Sequence, residues 1–184
     1  MRRYLNEKIL AYKIRKGDAE AFGEVYDYYN ERIYRFVFLK LPTTQDAEDI
    51  TAEVFLKAWR YIREQKSIQS LQAFLYQIAR TSVVDFYRKK GTEPESLDDQ
   101  EIIIADRTDL TLQEKMALKS ELEAVEVALR QLKDSYREVV VLHYLNELSV
   151  KEIAAVIGQS PGTTRVILHR GIKALKNILS KNKP

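Results

Sequence analysis

His143 and His169 are the only imidazoles in 184 residues, and the sequence contains no cysteine. No Ser/His/Asp or Cys/His set can be assembled from so few groups. No glycine-rich phosphate loop is present, and the carboxylates lack the spacing of a metal site. The sequence therefore predicts no enzyme, no catalytic residue, no metal and no cofactor. His143 follows the apolar run Val139–Leu142, where a packing role is expected, whereas His169 falls on a basic amphipathic stretch. What the chain does carry is cations and hydrogen-bond donors at helical spacing, which is the chemistry of holding a polyanion.

The cations are segregated. Residues 1–17 carry 6 basic and 1 acidic side chains, residues 61–90 carry 6 and 2, and residues 149–184 carry 7 and 1. Residues 91–115 reverse the balance, with 2 basic and 8 acidic groups. Basic segments on either side of an acidic one predict two separate contacts with nucleic acid. Met1-Arg2-Arg3-Tyr4 has the charge of a signal peptide but no apolar stretch after it, so it reads as solvated charge. No run approaches the roughly 18 apolar residues of a membrane span. The expectation is a cytoplasmic protein with no membrane insertion.

The last basic segment has the layout of a helix-turn-helix. Ser149 and Glu152 have capping-box spacing and open a two-turn helix, Val150 to Ile157. Gly158 sits where a helix end needs a left-handed residue, and small Ala154 allows close crossing. Ser160 caps the next helix, with Pro161 at its first position. That helix is expected to bury Leu168, Ile172, Leu175 and Leu179. The opposite face then shows Gly162, Val166, His169, Arg170 and Lys173, with Thr163 and Arg165 at its margins. Candidate DNA contacts are Ser160, Pro161, Gly162, Thr163, Thr164, Arg165, Val166, His169, Arg170 and Lys173. A helix N-terminus suits a phosphate, and its first turns reach base edges. Val166 could meet a thymine methyl or be covered by the neighbouring helix.

The elements that must position this face are all helical: few glycines and prolines, and apolar residues at three and four. Asp18 caps a helix burying Phe22, Val25, Tyr26, Tyr29, Ile33, Phe36 and Val37, stopped by Pro42. A second begins near Thr44 or Asp46 and runs to about Arg63, carrying Ala47, Ile50, Val54, Ala58 and Tyr61. After the polar break at 64–67, a third runs from near Ser70 to about Lys90, burying Leu71, Phe74, Leu75, Ile78 and Ala79. The pattern collapses from Gly91, apart from Ile102-Ile103-Ile104. It resumes with Leu122, Val125, Leu129 and Leu132, and Ser135 with Glu138 predicts a further capping box. The predicted architecture is all-α: two small helical-bundle domains, 1–90 and 117–184, joined by a flexible acidic linker, 91–116.

The motifs resemble those of extracytoplasmic-function sigma factors of bacterial RNA polymerase. Gly17–Phe22 resembles the family's opening motif, and Asp46–Ile50 with Glu53–Trp59 resembles its second region. Phe74–Arg80 with Asp85 and Arg88 resembles the helix that engages the melted minus-ten element. Leu129–Leu132, Tyr136–Leu142, Leu148–Ala154 and Gly162-Thr163 with Leu168–Arg170 resemble its fourth region, which reads the minus-thirty-five element. The match spans nearly the whole chain in order. It departs at Ala52, Phe74, Thr81, Ile167 and Gly171, where the family often has Gln, Trp, Asn, Arg and Ala.

The resemblance implies a sigma factor that binds core polymerase, through the largest subunit's clamp helices and the flap, and directs promoter-specific initiation in a stress or envelope response. It implies polymerase contacts at Asp46, Asp49, Glu53 and Leu56. The bare residues allow another role, since Asp46 and Glu48 complement a helix N-terminus. It implies minus-ten contacts at Lys66, Arg80, Thr81, Asp85, Arg88, Lys89 and Lys90, with a base-trapping pocket at 64–70 and the start of the third helix. Asp85 and Arg88 also have the spacing of a plain surface pair. Tyr61, Tyr76, Phe86 and Tyr87 are available for stacking, although most are expected in the core. An anti-sigma factor is the further partner the resemblance implies. A stand-alone regulator with the same helix-turn-helix would leave Asp46–Trp59 unexplained, and a nuclease or recombinase lacks a catalytic set.

Overall fold

The computed structural model describes residues 6–38, 40–64, 68–91, 124–125 and 127–181. All regular structure among them is helical. The chain divides into two compact units, one built on residues up to Leu97 and the other on nearly all of those from Asp98 onward.

The first unit holds α1 (Glu7–Arg15), α2 (Ala19–Phe38), α3 (Thr44–Arg63) and α4 (Leu71–Lys90). Short polar residues start each helix by taking up an amide that has no partner within it. Asp18 Oδ1 accepts from Ala21 N–H at 3.0 Å, and Thr43 Oγ1 from Asp46 N–H at 3.0 Å. Ser70 Oγ accepts from Ala73 N–H at 3.2 Å. Val25, Tyr29, Ile33, Phe36 and Val37 of α2 meet Ala47, Ile50, Val54 and Ala58 of α3 and Leu71, Leu75, Tyr76 and Ala79 of α4 in the core. Phe36 and Tyr76 cross edge to face at 5.2 Å there. Four residues expected inside are not: Phe22, Phe74 and Ile78 are half-buried and Tyr26 is 42% exposed.

The sequence reading missed α1. Its Lys8, Lys13 and Arg15 count in the sequence only toward a basic segment, but Leu10 and Ile14, four apart, are buried against α2 and α3. Asn6 caps it, Oδ1 accepting from Ile9 N–H at 3.3 Å. Glu7 ties it to the bundle. Its Oε1 accepts from the Tyr29 hydroxyl at 2.5 Å and its Oε2 from the Leu71 N–H, at the start of α4, at 2.8 Å.

In the second unit a helical stretch at 127–130 precedes α5 (Asp134–Tyr144), α6 (Val150–Ile157) and α7 (Pro161–Lys181). Leu129 and Leu132 are buried as expected. The capping box at Ser135 and Glu138 is corrected: α5 starts earlier, with Lys133 in the cap position and no side-chain cap. The amides of Tyr136 and Arg137 donate to the Lys133 carbonyl, which places Ser135 inside the first turn. Asp134 pairs there with Arg137 at 2.5 Å. α5 and α7 approach closely at Gly171, where an added Cβ would lie 3.0 Å from Val140 Cγ2 and 3.4 Å from the Tyr136 carbonyl oxygen. The linker, with Ile102–Ile104, lies outside the described residues except for Gly91.

Candidate nucleic-acid interface

The α6–α7 turn is fixed by hydrogen bonds. Ser149 N–H and Oγ–H donate to Glu152 Oε2 at 2.9 and 2.7 Å, and Glu152 N–H donates back to Ser149 Oγ at 3.3 Å. That reciprocity is the capping box. Two turns on, Gly158 takes φ +68°, and Gln159 N–H donates to the Ala154 carbonyl at 3.0 Å. This is the six-to-one bond of a left-handed helix end. Ser160 Oγ then accepts from Thr163 N–H at 3.1 Å. Pro161, with no N–H to leave unpaired, opens α7.

α7 therefore leaves the turn in one direction, with one face committed. Thr164, Leu168 and Gly171 are buried, while Ile172, Leu175 and Leu179 are half-buried. Thr164 corrects the sequence reading. It is fully buried, and its amide and hydroxyl both donate to the Ser160 carbonyl at 2.9 Å. Lying one turn before Leu168, its side chain faces the interior. Ser160, Pro161, Gly162, Thr163, Arg165, Val166, His169, Arg170 and Lys173 are exposed. Val166, 47% exposed, is not covered by a neighbouring helix. His143 has a structural role: its Nδ1 lies 2.9 Å from the Leu148 carbonyl oxygen. A carbonyl only accepts, so Nδ1 carries the proton.

In the first unit the acidic stripe of α3 splits into two kinds of residue. Asp46 accepts from the Thr43 hydroxyl at 2.7 Å and lies 3.5 Å from Lys90 Nζ. Glu53 pairs with Lys57 at 2.6 Å, and Lys57 Nζ also donates to buried Ser82 of α4 at 3.0 Å. Asp49 and Leu56, the latter 56% exposed, face solvent. On α4, Thr81 and Arg88 are exposed, and Arg80 and Asp85 are half-buried. The Thr81 hydroxyl donates to the Gln77 carbonyl at 2.9 Å, and Asp85 pairs with Arg88 at 2.9 Å. Lys89 and Lys90 are exposed, with Lys90 Nζ 4.3 Å from the Phe86 ring centroid. Lys66 lies outside the described residues. Tyr76 and Tyr87 are core residues, Tyr87 donating to the Lys40 carbonyl at 2.7 Å. Tyr61 and Phe86 are half-buried.

Two family models match the chain: sigma-70 region 2 over residues 25–93 and sigma-70 region 4 over residues 122–175. The ECF RNA polymerase sigma factor SigW of Bacillus subtilis is 32% identical over 179 residues, covering 91% of this chain and 93% of that protein. The chain belongs to the extracytoplasmic-function sigma factors. Sigma factors bind core RNA polymerase and direct promoter-specific initiation of transcription, and that is this protein's function. The sigma-E factor of Escherichia coli K12 is 26% identical over 185 residues, 96% of each chain. The sigma factor shares its fold with CnrH, solved with the cytosolic domain of CnrY (TM-score 0.67, 23% identity, 95% of this chain and 97% of that one). It also shares it with RpoE of Bartonella quintana, solved with the anti-sigma factor NepR (TM-score 0.64, 22% identity, 88% and 98%). Among the described residues no group of three or more side chains could hold a metal ion, and no helix is long and apolar enough to cross a membrane.

Sequence reasoning missed two surface features of this sigma factor. Tyr26 packs edge-on at 4.8 Å against Phe55 of α3, the residue before exposed Leu56, yet is itself partly open. Its spacing with Phe22 and Tyr29 matched the core face, and period alone does not separate a core residue from one at its rim. Glu7 stands isolated among basic residues, and no local pattern marks it.

Proposed function

We propose that the two units divide promoter recognition, as domains 1–90 and 117–184 joined by the 91–116 linker. α7 enters the major groove of the upstream element. Arg165, Val166 and His169 meet base edges, and Ser160, Thr163, Arg170 and Lys173 hold phosphates. The observation that carries this reading is the exposed basic row of α7, presented by a turn fixed at Gly158 and Ser160. In the first unit Asp49 and Leu56 of α3 dock on the polymerase clamp helices, with Asp46 and Glu53 beside them. Arg80, Thr81, Asp85, Arg88, Lys89 and Lys90 of α4 line the melted downstream element, and the α3–α4 connection traps an unpaired base. The flap is the second polymerase contact. The protein itself catalyses no reaction, works in the cytoplasm, and is released from an anti-sigma factor in a stress or envelope response. The complexes of RpoE with NepR and of CnrH with CnrY support such a partner.

Runoff transcription with core polymerase on a randomised promoter library tests the reading. The expected result is recovery of promoters sharing two spaced elements, dependent on the added chain. Transcripts that are the same with and without it would refute the proposal.

A further inference from the structure

None of the promoter or polymerase contacts falls among residues 1–17, although that stretch carries 6 basic and 1 acidic side chains. Its one acid, Glu7, is committed inward, accepting from the Tyr29 hydroxyl and the Leu71 amide. The lysines of α1 lie on the outside. Lys8, Lys13 and Lys16 are exposed, and among the described residues none of them has a carboxylate partner. Tyr12 and Ile9 between them are 57% and 52% exposed. Lys8, Tyr12 and Lys16 stand four apart, so they form one row about 12 Å long at 1.5 Å per residue. Lys16 Nζ lies 5.9 Å from the Tyr12 ring centroid.

Helix stability does not account for this face. Lys8 sits in the first turn, where the macrodipole disfavours a cation, and Tyr12 and Ile9 leave apolar surface in water. Two exposed apolar side chains are too few for a helix that lies in a membrane surface. Unpaired cations flanking an exposed tyrosine fit a polyanion, since lysine and tyrosine side chains are common donors to DNA phosphates. The face is also held firmly. α1 packs on α2 and α3 and is tied to the start of α4 by Glu7.

We propose that the outer face of α1 is a third DNA contact, independent of base sequence. Lys8, Lys13 and Lys16 hold phosphates of the promoter strand that flanks the melted element, and Tyr12 packs against the backbone between them. The proposal rests on the sigma-factor reading and adds to it a helix outside the region 2 match, which begins at residue 25.

The test uses holoenzyme assembled from the full chain and core polymerase, on a promoter recovered from the library. Lys13→Ala with Lys16→Ala should lower the slope of log affinity against log salt by about 1.4–1.8, two phosphates at 0.7–0.9 each. Affinity at physiological salt should fall roughly tenfold on matched and scrambled DNA alike. Affinity for core polymerase and the urea midpoint of the chain should not change. Arg60→Ala, which removes an exposed cation of α3, should leave the slope as it is. An unchanged slope in the double variant, or an equal loss per charge from Arg60→Ala, overturns the proposal. So does weaker binding to core with the slope intact, which would give the face to an acidic protein surface. As a second readout, p-benzoylphenylalanine replaces Tyr12 and the promoter complex is irradiated. Adducts to DNA support the proposal, and adducts to polymerase alone, or none, overturn it. A recovered promoter with an unchanged slope refutes this contact only, whereas recovery of no promoter refutes the sigma-factor reading itself.

Discussion

The Glu7–Tyr29 bond is the sharpest test of how the first unit is held together. Tyr29 is 2% exposed and its hydroxyl donates to Glu7 at 2.5 Å, while the other carboxylate oxygen accepts from Leu71 N–H. A hydrogen bond to a charged group contributes about 1.5–3 kcal/mol, and an orphaned buried donor costs about 1–3 kcal/mol. Glu7→Ala removes both bonds and orphans the phenol, so about 3 kcal/mol is expected. Tyr29→Phe removes one donor and leaves the carboxylate its Leu71 partner, so about 1.5 kcal/mol is expected. The double variant should cost less than the sum, with a coupling near 1.5 kcal/mol. The sole tryptophan, Trp59, lies in α3 edge-on to Phe22 at 5.0 Å, so its fluorescence reports the first unit alone. With a urea slope of about 2 kcal/mol/M, Glu7→Ala should lower the midpoint by roughly 1.5 M. Strictly additive single and double variants would show that the bond contributes nothing.

Burial, and then the Glu7 bond, push the Tyr29 phenol well above its ordinary pKa. Its contribution is complete below the unfolded value near 10 and is lost as pH rises past it. Wild type should thus lose about 1 kcal/mol more than Tyr29→Phe between pH 10 and 11, read by the same fluorescence. Gly158→Ala has open space around it but a left-handed backbone, so a loss of about 1–2 kcal/mol is expected in the second unit, measured by hydrogen exchange of α6. Lys173→Ala should weaken holoenzyme binding to all promoters alike and reduce the salt slope by about 1. Arg165→Ala should cost about 1–3 kcal/mol on a matched promoter and little on a scrambled one, as competition binding would show. Asp49→Lys and Leu56→Glu should each lower affinity for core polymerase by about tenfold, in titrations against labelled core, with the Trp59 midpoint unchanged.

Where the fold was legible, the signal was local. Asp18, Ser70, Ser149 and Ser160 are short polar residues directly before helical periodicity, and each caps the helix it announces. Gly158 was readable for the same reason, because only backbone conformation decides it. The Ser135 box failed although its spacing was right. Helix termini compete, and a start at Lys133 places the Asp134–Arg137 pair in the first turn. α1 failed because its stability is tertiary: a nine-residue helix has little of its own, and Leu10, Ile14 and Glu7 hold it only through partners distant in sequence.

The candidate surfaces divide along the same line. A basic row on a capped helix follows from spacing, because one buried stripe settles what the opposite face shows. Thr164 escaped that projection because a threonine can return its hydroxyl to the preceding turn and enter the core at little cost, and its bond to the Ser160 carbonyl is that return. The acidic stripe of α3 reads as one surface in sequence, yet Lys90 reaches Asp46 from the far end of α4, and Lys57 ties Glu53 to Ser82. Two of its carboxylates therefore serve the α3–α4 packing before any partner arrives. A cationic partner helix must share those oxygens or displace Lys57 and Lys90. Asp49 and Leu56 meet it without that competition, which makes them the first residues at which docking and folding can be separated.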